Sequence, residues 1–442
     1  MNPPTLSRRN AVGQVMGGVL GAAASVPRAR GASDRLRIAA AGIGGMGANY
    51  IAGCATEDIV ALCDVDDAKA APVFDKYPRA ARFRDFRRML DRAAAFDAVI
   101  VGTPDHTHAA IALAAMQLGK HVYCAKPMTR TIAEARRLAW QAQERKLATQ
   151  MSVQSSMSPK ACQTIDWIRA GVAGQVREVH VWSDRPVWPQ AAERPAALPA
   201  VPSTLDWNLW LGPAPARPFH PVYHPFNWRG WVDFGTGALG DMGCHTLHVI
   251  VRALDLGLPD RVSASAPVHY LPAFGEDRDM TWIRARRARA PETFPDASIV
   301  TWQFGPVRVT WYDGGLKPPA PAPWPAGEPM GGDGILFVGD RGVVHSGFTG
   351  GPRLLGQPGF AAPASTLVPV DDHYQEWIRA CKGGPAASCE FGFGARLTEI
   401  CLLGAIAQRL PGRLLEWEKT KGAFPRDPEA SALVDPPART GW

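Results

Sequence analysis

Eight cysteines are spread over 442 residues, and no two of them form a C-x-x-C pair. That removes the common signature of a structural zinc site or a dithiol redox centre. Most lie in apolar runs and are expected to be small buried side chains, with Cys381–Cys389 the one disulfide pairing to consider after export. No Lys/Arg cluster with interleaved aromatics occurs. The net charge of +7 falls to +3 once Arg8, Arg9, Arg28 and Arg30 are set aside, because 44 basic residues then face 41 acids. A nucleic-acid partner is therefore not expected. Beyond residue 33 no stretch is apolar enough to cross a bilayer, so stable membrane insertion is not expected either. There is no internal repeat.

Acid is missing altogether from residues 1–32, and that absence has a pattern. "SRRN" at 7–10 is followed by the modestly apolar "AVGQVMGGVLGAAASV", which Pro27 ends. A charged start, a short apolar middle and small residues near 29–33 describe a cleaved signal of the twin-arginine (Tat) type. Ala11 departs from that pattern, since a bulky residue usually follows the arginines. Residues 1–33 are therefore expected to address the protein to the Tat machinery and a periplasmic or other extracytoplasmic location. If they are only a basic tail, the protein stays in the cytoplasm.

What remains is 46% hydrophobic and 20% charged over the whole chain, the composition of a soluble globular protein. From residue 34 to about 155, apolar strand-like runs alternate with helix-compatible ones, which predicts a parallel sheet covered on both faces. "TIAEARRLAWQAQERK" opens with a capping box, Thr131 with Glu134. From 156 to 442 the texture changes. Pro and Trp crowd residues 182–231, and "DASIVTWQFGPVRVTWYDGG" and "GILFVGDRGVVHS" read as antiparallel strands. "DDHYQEWIRACKGG" and "GFGARLTEICLLGAIAQRL" read as amphipathic helices. The expected fold class is α/β: a Rossmann domain followed by an α/β domain with an open, mostly antiparallel sheet.

Four stretches carry chemistry. Gly42, Gly44, Gly45, Met46 and Gly47 lie in a G-x-G-x-x-G run that follows a strand and opens a helix, with Asp64 placed 22 residues after Gly42. In that context the run is a dinucleotide fingerprint. Its glycines permit a tight turn, close approach to a pyrophosphate and helix–strand packing, and the helix N-terminus offers N–H groups to the anion. Asp64 suits ribose hydroxyls and repels a 2′-phosphate, which favours NAD over NADP. "GTPDHTHA" places Thr103, Pro104 and His108 at another strand end, where ligands bind in such sheets; His106 there reads as a solvent-facing turn residue. "CAKP" places Lys126 at the cleft mouth, suited to stabilising an alkoxide. "DFGTGALGDMGCHTLH" puts Asp241 and His245 four apart on one helix face, where Asp241 would orient His245 as a general base. No metal site is expected. A His106/His108 pair and an Asp241/Cys244/His245 set are the weaker metal readings.

These segments together resemble the Gfo/Idh/MocA family, and "DRPVWPQ" and "WYDGG" are similar to its exported branch. The resemblance implies catalytic roles for Lys126, Asp241 and His245, and oligomer contacts through the exposed sheet face, hence a homo-oligomer. Two positions depart from the family: Ala125 stands where Glu usually precedes the lysine, and His248 where an Asp often follows. The expected reaction is hydride transfer between tightly bound NAD and a secondary alcohol of a sugar, polyol or glycoside. Arg185, Trp228, Arg229 and His245 would meet that substrate. Two alternatives stand beside it: a redox-neutral NAD-dependent glycosidase, and a sugar-binding relative without turnover.

Overall fold

A computed structural model describes residues 35–267, 269–271, 286–288, 292–348, 350–357 and 359–442. The segment read as an export signal lies outside them. The chain runs β1 (Arg37–Ala41), α1 (Met46–Gly53), β2 (Asp58–Cys63), α2 (Asp67–Lys76), β3 (Ala81–Phe83), α3 (Phe86–Leu90), β4 (Ala98–Val101), α4 (Asp105–Gln117), β5 (His121–Cys124), α5 (Ile132–Glu144) and β6 (Thr149–Met151). It continues α6 (Pro159–Arg169), β7 (Val176–Trp182), α7 (Trp207–Leu211), α8 (Gly237–Ala253), β8 (Arg261–Ser265), β9 (His269–Leu271), β10 (Arg286–Ala288), β11 (Ser298–Phe304), β12 (Val307–Asp313), β13 (Gly334–Gly339), β14 (Val343–Gly347) and β15 (Pro352–Leu354). It ends α9 (His373–Cys381), α10 (Phe391–Arg409), β16 (Leu414–Glu416) and α11 (Pro428–Ala432).

The first six strands make one parallel sheet in the order β3-β2-β1-β4-β5-β6. This is the doubly wound Rossmann order, in which the strand order reverses beside β1 and opens a crevice at the carboxyl ends. Strand β4 is buried at every position, as strands covered on both faces must be. The Thr131–Glu134 capping box forms as expected.

The second sheet has eight strands in the order β15-β14-β13-β7-β12-β11-β8-β16. Only β7 and β12 pair in parallel; the other neighbours are antiparallel. Buried and half-buried residues alternate along β11, because helices cover one face only. Helix α10 corrects an expectation. It is not amphipathic: all but four of its residues are buried, since it is wedged between α5 of the first layer, α8, and strands β8 and β11 of the second. A Cβ on Gly404 would sit 2.4 Å from Leu239 and 2.6 Å from Trp302, so the helix meets its neighbours at full density there.

The Trp-rich segment builds a small core of its own, with Trp207, Trp210, Tyr223, Trp228, Trp231 and Phe234 packed together. Trp207 and Trp210 stack at 4.6 Å. All eight cysteines are free thiols, Cys381 and Cys389 included.

Candidate active site

The glycine loop takes the shape the strand-to-helix turn demands. Gly42 has φ +76°, and a Cβ there would lie 2.4 Å from the Thr103 backbone nitrogen. A Cβ on Gly47 would be 1.8 Å from the Gly42 carbonyl oxygen, so only glycine lets α1 sit this close to β1. Gly44 differs: a Cβ there would meet nothing nearer than Lys69, at 3.4 Å, an ordinary contact. The protein does not require glycine at that position, and the backbone there faces open cavity. Asp64 Oδ2 accepts from the Ile43 and Gly44 amides at 2.9 and 3.2 Å, and Oδ1 from the Asp66 amide at 3.0 Å. Burial raises its pKa, and these three donors oppose the rise.

The loops after β4 and β5 meet through His108. Its Nδ1 lies 3.0 Å from the Pro127 carbonyl and its Nε2 2.7 Å from the Thr103 carbonyl. Burial drives its pKa down to about 4 although the carbonyls pull it up. His108 thus reaches the site as a clamp between the Thr103 and Lys126 loops. His106 is not in solvent, as the sequence suggested. It is buried between the Phe234 and Trp210 carbonyls, at 3.2 and 2.9 Å, because the Trp-rich core closes over the start of α4. These contacts aim both rings at different backbone carbonyls and leave no shared metal position. Cys244 likewise faces Cys401, at 3.8 Å between sulfurs.

Lys126 is held by its backbone amide, which donates to Ser152 Oγ at 2.9 Å. Its ammonium donates to Asp241 Oδ1 at 2.8 Å and to the Asp241 carbonyl. Arg229 Nε approaches the same carboxylate oxygen at 3.4 Å. Burial alone would raise the pKa of Asp241; the Lys126 and Arg229 charges overcome it and hold the pKa at about 2. This corrects the expected Asp241–His245 hydrogen bond. Helical spacing does put both on one face, but among the described residues none joins them, because the two cations capture the carboxylate. His245 lies near Phe348, ring centroids 5.6 Å apart. Burial and the Lys126 charge lower its pKa to about 3, with Asp241 opposing. The ring is neutral at pH 7.

One cavity of about 920 Å³ connects these groups, from Gly42, Gly44, Met46 and Asp64, past Thr103, Pro104, His108 and Ala125, to Lys126, Asp241 and His245. Arg185, Trp188, Trp228 and Arg229 line it as well. The Arg229 guanidinium lies 4.3 Å from the Trp228 ring centroid and 4.5 Å from that of Phe226, while Arg185 pairs with Asp184.

Both parts of the chain match one family. An oxidoreductase family's NAD-binding Rossmann fold matches residues 36–153. The C-terminal alpha/beta domain of the same family matches residues 181–286. The chain belongs to the Gfo/Idh/MocA oxidoreductase family. Inositol 2-dehydrogenase 1 of Saccharopolyspora erythraea is 35% identical over 107 residues, 23% of this chain and 32% of that protein. The chain thus spans about a third of the length of the curated relatives it matches first. Two solved folds are similar over most of both chains. An inositol dehydrogenase homologue from Azotobacter vinelandii, complexed with NADH and myo-inositol, has TM-score 0.57 at 16% identity and covers 87% of this chain and 98% of its own. The aldose–aldose oxidoreductase of Caulobacter crescentus, complexed with glycerol, has TM-score 0.57 at 18% identity, with 86% and 99% covered.

The residues present fit the nicotinamide nucleotide of a Gfo/Idh/MocA Rossmann domain. Gly44 leaves a cradle that a side chain would fill. Among the described residues Thr103 Oγ1, on a residue lining the cavity, has no hydrogen-bond partner, a cost that a polar ligand atom would relieve. Ala125, in place of the family's Glu, leaves an apolar wall beside Lys126. His248, the other departure, is buried with Nε2 3.4 Å from Ser155 Oγ. Sequence reasoning missed several cavity residues, among them Asp105, His224 and Trp442. Asp105, buried, accepts from Thr236 Oγ1 at 2.7 Å, and burial lifts its pKa to about 7. Its place two residues after Thr103 was the available signal. His224 pairs with Asp66 at 2.8 Å, and Trp442 lines the wall from the far end of the chain. Neither had a local signal.

Proposed function

We propose that this protein is a nicotinamide-dependent oxidoreductase, moving hydride between tightly bound NAD and a secondary alcohol of a sugar or polyol. The observation that carries this is the single cavity joining the glycine loop and Asp64 to Lys126, Asp241 and His245. Relatives named for inositol and levoglucosan oxidation support the substrate class.

When bound, the nicotinamide ring supplies the hydride acceptor. The chain's own residues do the rest. The glycine loop and α1 hold the diphosphate, and Asp64 takes ribose hydroxyls. Lys126, anchored by Asp241, places a positive charge beside the reacting oxygen. Arg229, Trp228 and Arg185 hold the sugar. His245 accepts the hydroxyl proton at a ring nitrogen as the carbinol carbon loses its hydride. A resting pKa of about 3 makes it a weak base, and the Lys126 charge is one cause. Negative charge developing on the substrate oxygen screens that charge, so His245 strengthens as a base while the reaction proceeds.

The same reading includes export through residues 1–33 with NAD already seated, since the Tat route carries folded proteins. The nucleotide is then regenerated in place: one sugar is oxidised to a carbonyl compound, and a second carbonyl compound is reduced. The name of the aldose–aldose relative supports that cycle. Assembly as a homo-oligomer rests on the family resemblance, and light scattering measures it directly. For the central claim, the purified protein is denatured and the released nucleotide identified by chromatography. One NAD or NADH per chain is expected, with ping-pong kinetics for paired sugar substrates. An empty protein that also fails to bind added NAD overturns the reading.

A further inference from the structure

The far end of the chain returns to the cavity, and its anchoring is specific. Arg439 donates through Nη1 to Asn208 Oδ1 at 2.9 Å, through Nη2 to the Asn208 carbonyl at 3.1 Å, and through Nε to the Gly212 carbonyl at 3.0 Å. Its amide donates to the Pro213 carbonyl at 2.9 Å. One arginine therefore latches residues 439–442 onto the end of α7. From that latch the Trp442 indole reaches across to α3. Its ring lies 4.4 Å from the Arg87 guanidinium and its centroid 6.3 Å from that of Phe86. On the near side, an indole carbon sits 3.7 Å from where a Gly212 Cβ would be. Trp442 lines the same cavity as Asp64, Arg84, Asp85 and Phe86, residues that follow β2 and β3, whereas Lys126 follows β5 on the other side of β1.

We propose that Trp442, latched by Arg439, walls the adenosine subsite of the nucleotide and slows its escape. The inference rests on the NAD reading above and deepens it. Lys126 and His245 mark where the nicotinamide works, and Asp64 marks the distal ribose. The base beyond that ribose must lie toward β3 and α3, where Phe86 and Trp442 present aromatic surface. An adenine ring is flat and aromatic, and its face is the partner such surfaces accept. The segment touches both α3 and the end of α7 at the cavity wall, so it obstructs the exit of a nucleotide bound against it. This gives a physical reason for a cofactor that stays with the protein where no free pool replaces it.

The test uses the full chain, stripped of nucleotide, with NAD, ADP-ribose and nicotinamide mononucleotide as separate probes. Wild type is expected to bind NAD and ADP-ribose. Trp442→Ala should weaken both by about tenfold or more, speed NAD release to a similar degree, and leave nicotinamide mononucleotide unchanged. Trp442→Phe should recover most of the loss. Should Trp442→Ala fail to fold, Arg439→Ala, which opens the latch and keeps the indole, is expected to speed release in the same way. Unaltered ADP-ribose affinity and NAD release in the variants overturn the proposal, as does equal weakening of all three probes. A wild type that binds neither NAD nor ADP-ribose overturns the underlying reading instead.

Discussion

At the scale of single residues, the site depends on which partner each charge finds. Asp241 was expected to serve His245, yet its carboxylate goes to Lys126 and Arg229. A carboxylate between two cations is a fixed counterion, and it positions Lys126 more than it activates a base. Lys126→Met should therefore lower turnover by about 10² to 10³, the usual loss on removing an electrostatic group at a developing oxyanion. Nucleotide content should be retained, and chromatography of the denatured variant checks that. Near-normal turnover would remove Lys126 from the chemistry. A second expectation concerns pH. Because His245 has a pKa of about 3 in the free protein, kcat/KM should show no His245 titration between pH 5 and 8. An acid limb near pH 6.5 that vanishes in His245→Gln would contradict the burial argument.

At the scale of elements, two glycines of the same loop have different duties, and they can be separated. Gly47 is required by packing of α1 on β1, where a methyl group would strike the Gly42 carbonyl. Gly47→Ala should destabilise the fold by roughly 1–3 kcal/mol, the common cost of overpacking, seen as a lowered Tm without ligand. Gly44→Ala should leave the Tm of the nucleotide-free protein nearly unchanged and still weaken NAD binding, because the methyl group points into ligand space. Calorimetry on both variants decides this: a large Tm loss in Gly44→Ala would show that the protein itself needs that glycine. The motif spacing made the loop legible. It did not distinguish the two duties, which depend on what lies opposite each Cα.

At the scale of the whole molecule, burial of histidines sets the acid response. Burial lowers the pKa of His106 and His248 to about 3 and of His108 to about 4, and His245 follows for the reasons above. Below about pH 6.5 the unfolded chain takes up protons that the folded one refuses, so stability falls as pH drops from about 6.5 toward 4. Asp105 acts in the opposite sense, since its raised pKa of about 7 makes the folded state the better proton binder between about pH 4 and 7. His345 and His373 are lowered to about 4 as well, while Asp313, raised to about 6, and the raised Asp64 and Glu134 join Asp105; the histidines are the larger set, so acidification brings a net loss. Denaturant unfolding at pH 7 and pH 5 should show it, and His106→Gln should shrink the difference by roughly 2 kcal/mol. Equal stability at the two pH values would argue against neutral buried rings. The contribution of Asp241, with its lowered pKa, is lost only below about pH 4.

Local pattern determined a good deal of this protein. Apolar runs alternating with helical ones specified the parallel sheet, the glycine-rich run the phosphate-binding turn, period-two runs the hairpins of the second sheet, and motif spacing pointed to Lys126, Asp241 and His245, because these patterns depend on neighbours within a few residues. Partner choice was decided only in three dimensions. Asp241 met cations 115 and 12 residues away instead of the histidine four away. His106 was buried by residues more than 100 positions on. Asp105 became a high-pKa carboxyl, and Trp442 arrived at the cavity wall from the far end of the chain. Charge pairing and desolvation act through space, at distances of a few ångströms, and sequence separation carries no information about those distances until the chain has packed.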